Sequence, residues 1–491
     1  MAFSRAFVAL VAMTGAALAA LEVDLESADS IRRAARSVAY DLMTFYEGNQ
    51  TGQTVGILPG PPPAGDYYWW QGGAMWGALI DYWHFTGDAT YNPQIMEALL
   101  HQTGVDNNYM PRNWTASLGN DDQGFWGMTV LLAAENVFPN PPVDDDRQWL
   151  ALAQAVFNTQ ASPERHDDYC NGGMRWQIPM SNNGYDYKNS IANGCFFNMG
   201  ARLARYTGND SYAEWARTTW DWMVGVQYID DEYNIYDGAH IQENCTVINR
   251  AQFSYNAAVF LQGAAYMYAY TEGDEQAVWK DRVTQLLNAT IRVFFQDGIA
   301  YEVSCETGMT CTTDMLSFKG YLHRWMATTA QIAPFTKETI VPVLKTSTEA
   351  AVKTCTGGTN GRMCGFKWKE GLFTTPPGTG AGQQMNVLGA LSSYMIVLDE
   401  TIEGPATNGT GGTSKGNPGA GTGDSGEWWR NDEPPPMADK VGAGFLTAFL
   451  LISIMAMLAW MSMDEKTEEQ IFKERAEKEK KRASYLFAPR T

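Results

Sequence analysis

The chain has 491 residues, 35 Lys and Arg against 55 Asp and Glu, a formal net charge of −20, and 45% hydrophobic residues. That length supports one large domain or two to three average ones, with ample material for a core. The acidic surplus repels nucleic acid and favours a neutral partner, so a nucleic-acid function is excluded.

Taken in chain order, residues 1–20 carry Arg5, an apolar run without acids and then Ala17-Leu18-Ala19. This is the pattern of a signal peptide cleaved near Ala19 or Ala20. From 21 to 400 the sequence alternates apolar helical stretches with loops rich in Gly, Asn and Pro, and shows no hairpin-like alternation. Helices are predicted over 31–46, 75–85, 125–135, 198–206, 212–226, 253–270, 276–295, 321–332 and 384–398. A weak echo recurs: Phe85-Thr86-Gly87-Asp88, Tyr206-Thr207-Gly208-Asn209 and Tyr270-Thr271-Glu272-Gly273-Asp274. Each pairs a glycine suited to a left-handed helix end with a polar cap for the next helix. The expectation is therefore an all-α fold of repeated helical hairpins, stacked as a solenoid or closed as a toroid.

Residues 401–440 are rich in Gly, Thr, Ser, Asn and Pro, with too few large apolar side chains for a core, and read as a flexible linker. Residues 441–463 hold no charge; at about 1.5 Å per residue they span roughly 34 Å, enough to cross a bilayer. The tail 464–491 carries eight Lys and Arg, which places it in the cytoplasm. Together these features describe a single-pass type I membrane protein in the secretory pathway with an extracytoplasmic domain and a lipid contact through 441–463.

The seven cysteines all precede residue 401. Exported thiols usually pair, and the short Cys305/Cys311 and Cys355/Cys364 separations point to local loops, with one cysteine left over. Sequons at Asn49, Asn113, Asn209, Asn244, Asn288 and Asn408 fit a glycoprotein. The five histidines show no zinc-type spacing, and neither a phosphate-binding glycine loop nor a Gly-x-Ser-x-Gly elbow occurs, so neither metal nor cofactor is expected.

The stretch with most chemical content is Asn120-Asp121-Asp122-Gln123-Gly124-Phe125-Trp126. Two adjacent acids at a helix start can simply cap backbone amides. They can also flank a glycosidic bond, one protonating the leaving oxygen while the other attacks the sugar carbon. Adjacent side chains reach the separation of about 5 Å typical of retaining enzymes more easily than the wider inverting gap. Close carboxylates resist sharing negative charge, so one should keep its proton. Aromatics at Trp69, Trp70, Trp126, Trp176 and Tyr255 offer faces on which sugars stack, with Arg175 placed to hold hydroxyls. Core packing is the plainer role for each such ring.

Tyr68-Trp69-Trp70-Gln71-Gly72-Gly73, Asn120-Asp121-Asp122-Gln123, Gly172-Gly173-Met174-Arg175-Trp176, Tyr236-Asp237-Gly238, Phe318-Lys319-Gly320 and Gly382-Gln383-Gln384 occur in that order. Over about residues 21–398 the chain resembles glycoside hydrolase family 76, in its fungal wall-biogenesis branch of mannan endo-1,6-α-mannosidases. The resemblance implies an (α/α)6 barrel, a retaining mechanism on α-1,6-linked mannose, Asp121 as nucleophile, Asp122 as acid/base, and Asp237 among the substrate-binding residues. It further implies action on α-1,6-mannan or the mannose core of GPI anchors, with β-glucan as a possible acceptor for transglycosylation. The charged tail after the apolar segment departs from the GPI-attachment ending common in that branch and points to a retained span. The alternative is a catalytically inactive scaffold that binds wall glycan.

Overall fold

The computed structural model describes residues 20–422, 437–462 and 468–486. The expected signal peptide up to residue 19, the second part of the linker, and residues 463–467 and 487–491 lie outside the described residues.

Twelve helices build the main unit: α1 (Ala28–Met43), α2 (Trp69–Thr86), α3 (Asn92–His101), α4 (Asn120–Glu135), α5 (Trp149–Gln160), α6 (Ser190–Thr207), α7 (Asp210–Gly225), α8 (Ser254–Tyr270), α9 (Gly273–Phe294), α10 (Phe318–Ile332), α11 (Lys337–Lys353) and α12 (Ala381–Tyr394). Helices α2, α4, α6, α8, α10 and α12 pack each against the next, and α12 returns to α2, which closes a ring. The remaining six pack outside it, α3, α5, α7, α9 and α11 each against the inner helix that precedes it, and α1 chiefly against α12. The result is an all-α barrel.

Residue chemistry sorts the two layers. Inner helices are buried around almost their whole circumference, as in α4, where every residue but Asp121 is buried. Outer helices other than α5 bury one stripe; in α9 this includes Trp279, Val283, Leu286, Leu287, Thr290 and Phe294 at helical spacing. Glycines set the closeness of the inner ring. A Cβ on Gly73 would stand 2.9 Å from the Trp126 ring, one on Gly124 2.6 Å from Cys195 Cβ, and one on Gly320 3.0 Å from the Asn386 backbone.

All nine predicted helices are present, and most begin earlier than their periodicity indicated. Three were not predicted. Helix α5 is buried on nearly all sides and so shows no polar face, α3 is short, and α11 carries Pro342 among Lys and Thr residues. Two echoes end their helices as expected, with Gly87 at φ 75° and Gly208 at φ 73°. The third differs: α8 ends at Thr271 in extended conformation, and Gly273 opens α9.

The cysteines pair as Cys170–Cys245, Cys305–Cys311 and Cys355–Cys364, leaving Cys195 buried and free. All six sequon asparagines are exposed.

The linker expectation needs correction at its start. Residues 402–421 are not a free stalk but a strap laid on the barrel. Ala406 N–H donates to Glu135 O at the end of α4, Asn408 N–H to Tyr206 O at the end of α6, and Leu150 N–H to Ser414 Oγ at the start of α5. Asn158 then holds the carbonyls of Pro418 and Ala420. Small residues make this possible: Gly416 fits against Leu150 and Gly421 against Ala155, so backbone hydrogen bonds do the work that a core would otherwise need.

The C-terminal unit, taken by itself, holds α13 (Met437–Ser462) and α14 (Glu468–Leu486). Within α13, Lys440–Met461 is 22 residues long, apolar, and not buried inside the protein. It is long and apolar enough to cross a membrane.

Inside the barrel, Arg202 meets Glu135 at 2.6 Å and Arg324 meets Asp81 at 2.6 Å, all four side chains nearly inaccessible. Removing one partner strands a buried charge. Glu135→Ala is expected to destabilise the protein by about 3–5 kcal/mol in denaturant unfolding, and Glu135→Ala with Arg202→Met to recover much of that loss. A single-variant cost below about 1 kcal/mol, the worth of a surface pair, would contradict a buried pair.

Candidate active site

Because one outer helix runs back between each inner helix and the next in the chain, the six inner helices point the same way, and their N-termini gather at one end of the barrel. Five of those starts wall a cavity of about 530 Å³. Tyr68 and Trp70 come from α2, Asp121, Asp122 and Phe125 from α4, Asn189 and Ile191 from the start of α6, Tyr255 from α8, and Phe318 from α10. Helix starts present free N–H groups and positive dipole ends, which favour carboxylates placed there.

Asp121 and Asp122 are the second and third residues of α4, after an extended Gly119 at the cap position. Asp122 Oδ2 accepts from Gly119 N–H at 2.8 Å, half of a capping box. Asp121 Oδ1 accepts from Asp122 N–H at 3.0 Å, and Asp121 Oδ2 accepts from Asn189 Nδ2 at 3.4 Å. A Cβ on Gly119 would lie 2.3 Å from Asp121 Oδ1 and 2.4 Å from Asp122 Oδ2. The two oxygens therefore flank one point and lie within about 5 Å of each other, nearer the short separation of a retaining pair than the wide gap of an inverting one. Only glycine leaves room for them.

The pair is electrostatically unequal. Burial raises the Asp122 carboxyl well above its ordinary range, and the charge of Asp121 raises it further. Burial also pushes Asp121 up, to about 6, against hydrogen bonds from Asp122 and Asn189 that favour its ionised form. Asp122 thus holds a proton where Asp121 has lost one.

Two short antiparallel strands, β1 (Tyr187–Asn189) and β2 (Gly238–His240), bring a further acid to the rim. Asp237 immediately precedes β2 and accepts from Tyr187 Oη at 2.7 Å and Asn249 Nδ2 at 3.2 Å. Burial raises its carboxyl, and these bonds partly offset the shift. Tyr255 stacks flat on Phe318, 3.8 Å between ring centres. Trp176, 37% exposed, also faces the cavity, with the backbone of Gly184 against its ring.

Three residues expected at the sugar face lie elsewhere. Trp69 and Trp126 are 2% and 0% exposed and stack on each other 5.2 Å apart in the core, where Gly73 makes room for Trp126. Arg175 is committed to Asp167 at 2.5 Å and to the Tyr185 carbonyl, beneath the loop that carries Trp176. In a run such as Tyr67-Tyr68-Trp69-Trp70 the helix turn decides which ring faces the cavity, and composition carries no such information.

Reading the sequence also missed a fourth carboxylate, Asp314, whose Oδ1 accepts from Trp70 Nε1 at 3.1 Å. Burial pushes it up to about 6 against that bond. Its only signal was its place four residues before Phe318-Lys319-Gly320. Among the described residues, no group of three or more His, Cys, Asp or Glu is arranged to hold a metal ion.

The model of "Glycosyl hydrolase family 76" matches residues 30–406. The chain is 44% identical to mannan endo-1,6-alpha-mannosidase DCW1 of Saccharomyces cerevisiae, over 90% of this chain and 95% of that protein. It is 40% identical to mannan endo-1,6-alpha-mannosidase DFG5 of the same yeast, over 90% and 94%. Among solved structures it is similar to Dfg5 from Chaetomium thermophilum in complex with glucosamine, with 59% identity, a TM-score of 0.79, and 82% of this chain and 98% of that one covered. An inactive variant of alpha-1,6-mannanase from Salegentibacter sp., bound to alpha-1,6-mannotriose, shares the fold at 16% identity and a TM-score of 0.59, over 75% of this chain and 99% of that one. With a family match across most of the chain and relatives this close over nearly their full length, the protein is a glycosidase and belongs to glycosyl hydrolase family 76.

Proposed function

We propose that the protein is a retaining, endo-acting α-1,6-mannosidase or transglycosidase of fungal wall biogenesis, built on an (α/α)6 barrel and tethered to the membrane by α13. The observation that carries this reading is the carboxyl pair on either side of Gly119 in one cavity, with burial and the neighbouring charge raising Asp122 above Asp121. Asp121 attacks the anomeric carbon while Asp122 gives its proton to the glycosidic oxygen, releasing one part of the chain and leaving the other as an ester on Asp121. Asp122, now ionised, takes a proton from water or from a sugar hydroxyl, which displaces Asp121 and restores both groups. Water as acceptor gives hydrolysis, and a glucan hydroxyl gives transfer.

The donor in this reading is α-1,6-mannan or the mannose core of a GPI anchor. The names of the yeast relatives support the first, and membrane tethering fits the second. Trp70, Trp176, Tyr255 and Asp237 are the residues that would meet sugar, because they line the cavity. An inactive scaffold draws support from the bond between Asp122 and Gly119 N–H, a capping contact in its own right.

Three measurements test the reading. Asp121→Asn is expected to abolish turnover of linear α-1,6-mannan while oligosaccharide binding and folding persist; full activity in that variant leaves the scaffold as the better account. Gly119→Ala should cut kcat by about 100-fold or more with little change in unfolding midpoint, since displacing the acids by roughly 1 Å spoils their geometry. The pH profile of kcat/KM should be bell-shaped: the acid limb lies near pH 6, where Asp121 gains a proton and stops attacking, and the alkaline limb lies higher, where Asp122 loses the proton it must donate. Activity that grows steadily as pH falls through that acid limb contradicts the assignment.

A further inference from the structure

Asp314 lies outside the paired-acid motif, yet it lines the same cavity. It follows the loop closed by Cys305–Cys311, and a single 3-10 turn (Met315–Ser317) separates it from α10. The Ser317 hydroxyl donates to its carbonyl at 2.6 Å, and the Trp70 indole N–H donates to its carboxylate at 3.1 Å. That indole is wedged in turn against Phe125, 4.6 Å between ring centres, and Tyr321 at 6.1 Å. The carboxylate is therefore held in a defined place on the cavity wall.

The groups around Asp122 come from every packed element. Asp121 stands beside it on α4, the Cys195 thiol lies against α4 from α6, Tyr255 projects from α8, and Asp314 precedes α10. Tyr68 of α2, and Tyr187 and Asp237 of the strand pair, face the same space. Among the described residues none of the cavity's lining is Lys, Arg or His, so no cation there offsets the acids.

Resting on the two-acid mechanism, we propose that Asp314 is a positioning residue for the reaction: its carboxylate, pinned by Trp70, opposes a second charge on Asp122 and so keeps the leaving-group proton there. Like charges sharing a poorly solvated cavity favour the protonated form of the more buried one. The charge of Asp314 stands behind burial and Asp121 among the causes that raise Asp122. Burial raises the Asp314 carboxyl too, against the bond from Trp70. Once it is ionised, its repulsion widens the interval where Asp121 is charged and Asp122 is not.

The test is the pH dependence of kcat/KM on α-1,6-mannotetraose. Asp314→Asn keeps an acceptor for the Trp70 indole and removes the charge; its alkaline limb should move to lower pH by about half to one unit. Asp314→Ser, neutral and smaller, should shift the limb in the same direction and serves where the Asn variant does not fold, as judged by circular dichroism. Asp314→Glu, which retains the charge, should leave the limb close to that of the native enzyme. An unmoved alkaline limb in a folded neutral variant, or a change in KM alone, overturns the proposal, as does a shifted limb in Asp314→Glu. Absence of any mannoside turnover by the native protein would instead sink the underlying two-acid reading.

Discussion

Six inner helices can surround one axis only if each backbone comes close to the next, and glycine at the contacts is what permits it. Gly73 under Trp126, Gly124 on Cys195 and Gly320 on the α12 backbone leave no room for a side chain. The ring they close makes the inner helices parallel, and parallel helices put their N-termini together. The site follows from that, since Asp121, Asp122 and Asp314, far apart in the chain, meet because the starts of α4 and α10 share one end of the barrel, where the strand pair adds Asp237. Large aromatics fill the space outside the ring, and two buried arginine pairs with Asp81 and Glu135 occupy its interior.

The cavity is acidic by construction. Four carboxylates line it, all raised by burial, and hydrogen bonds from Gly119, Asn189, Tyr187 and Trp70 each favour ionisation of one of them. Burial without compensation would protonate them all, and full compensation would ionise them all. The site lies between, with Asp122 the most strongly held in its protonated form. Such a spread among chemically identical side chains is what general acid and nucleophile roles require.

Support for this cavity comes from side chains that do not enter it. Arg175 ties the Trp176 loop to Asp167, and Lys188 donates to the Tyr169, Gly172 and Gly173 carbonyls of the same region. The strap over residues 402–421 fastens the chain to the ends of α4 and α6 and along α5.

Much of the fold was legible in the sequence. Hairpin echoes at Gly87 and Gly208, the amphipathic stripes, the local disulfides and the apolar segment before the charged tail are short-range features, set by residues a few positions apart. The acid pair was legible for the same reason, since Asp121 and Asp122 are neighbours. Helix α5, buried on nearly all sides, was not, because a helix without a solvent face loses the periodic signal. Composition gave the strap away as linker, and only backbone hydrogen bonds with distant helices show it packed. Whether Trp69 or Trp70 meets the cavity, whether Arg175 holds sugar or Asp167, and that Asp314 joins the acids all depend on side-chain direction and on contacts between residues far apart in the chain. Local chemistry fixed the helices and the adjacent acids; closure of the ring decided everything that surrounds that pair, because only closure places separate helix starts around one cavity.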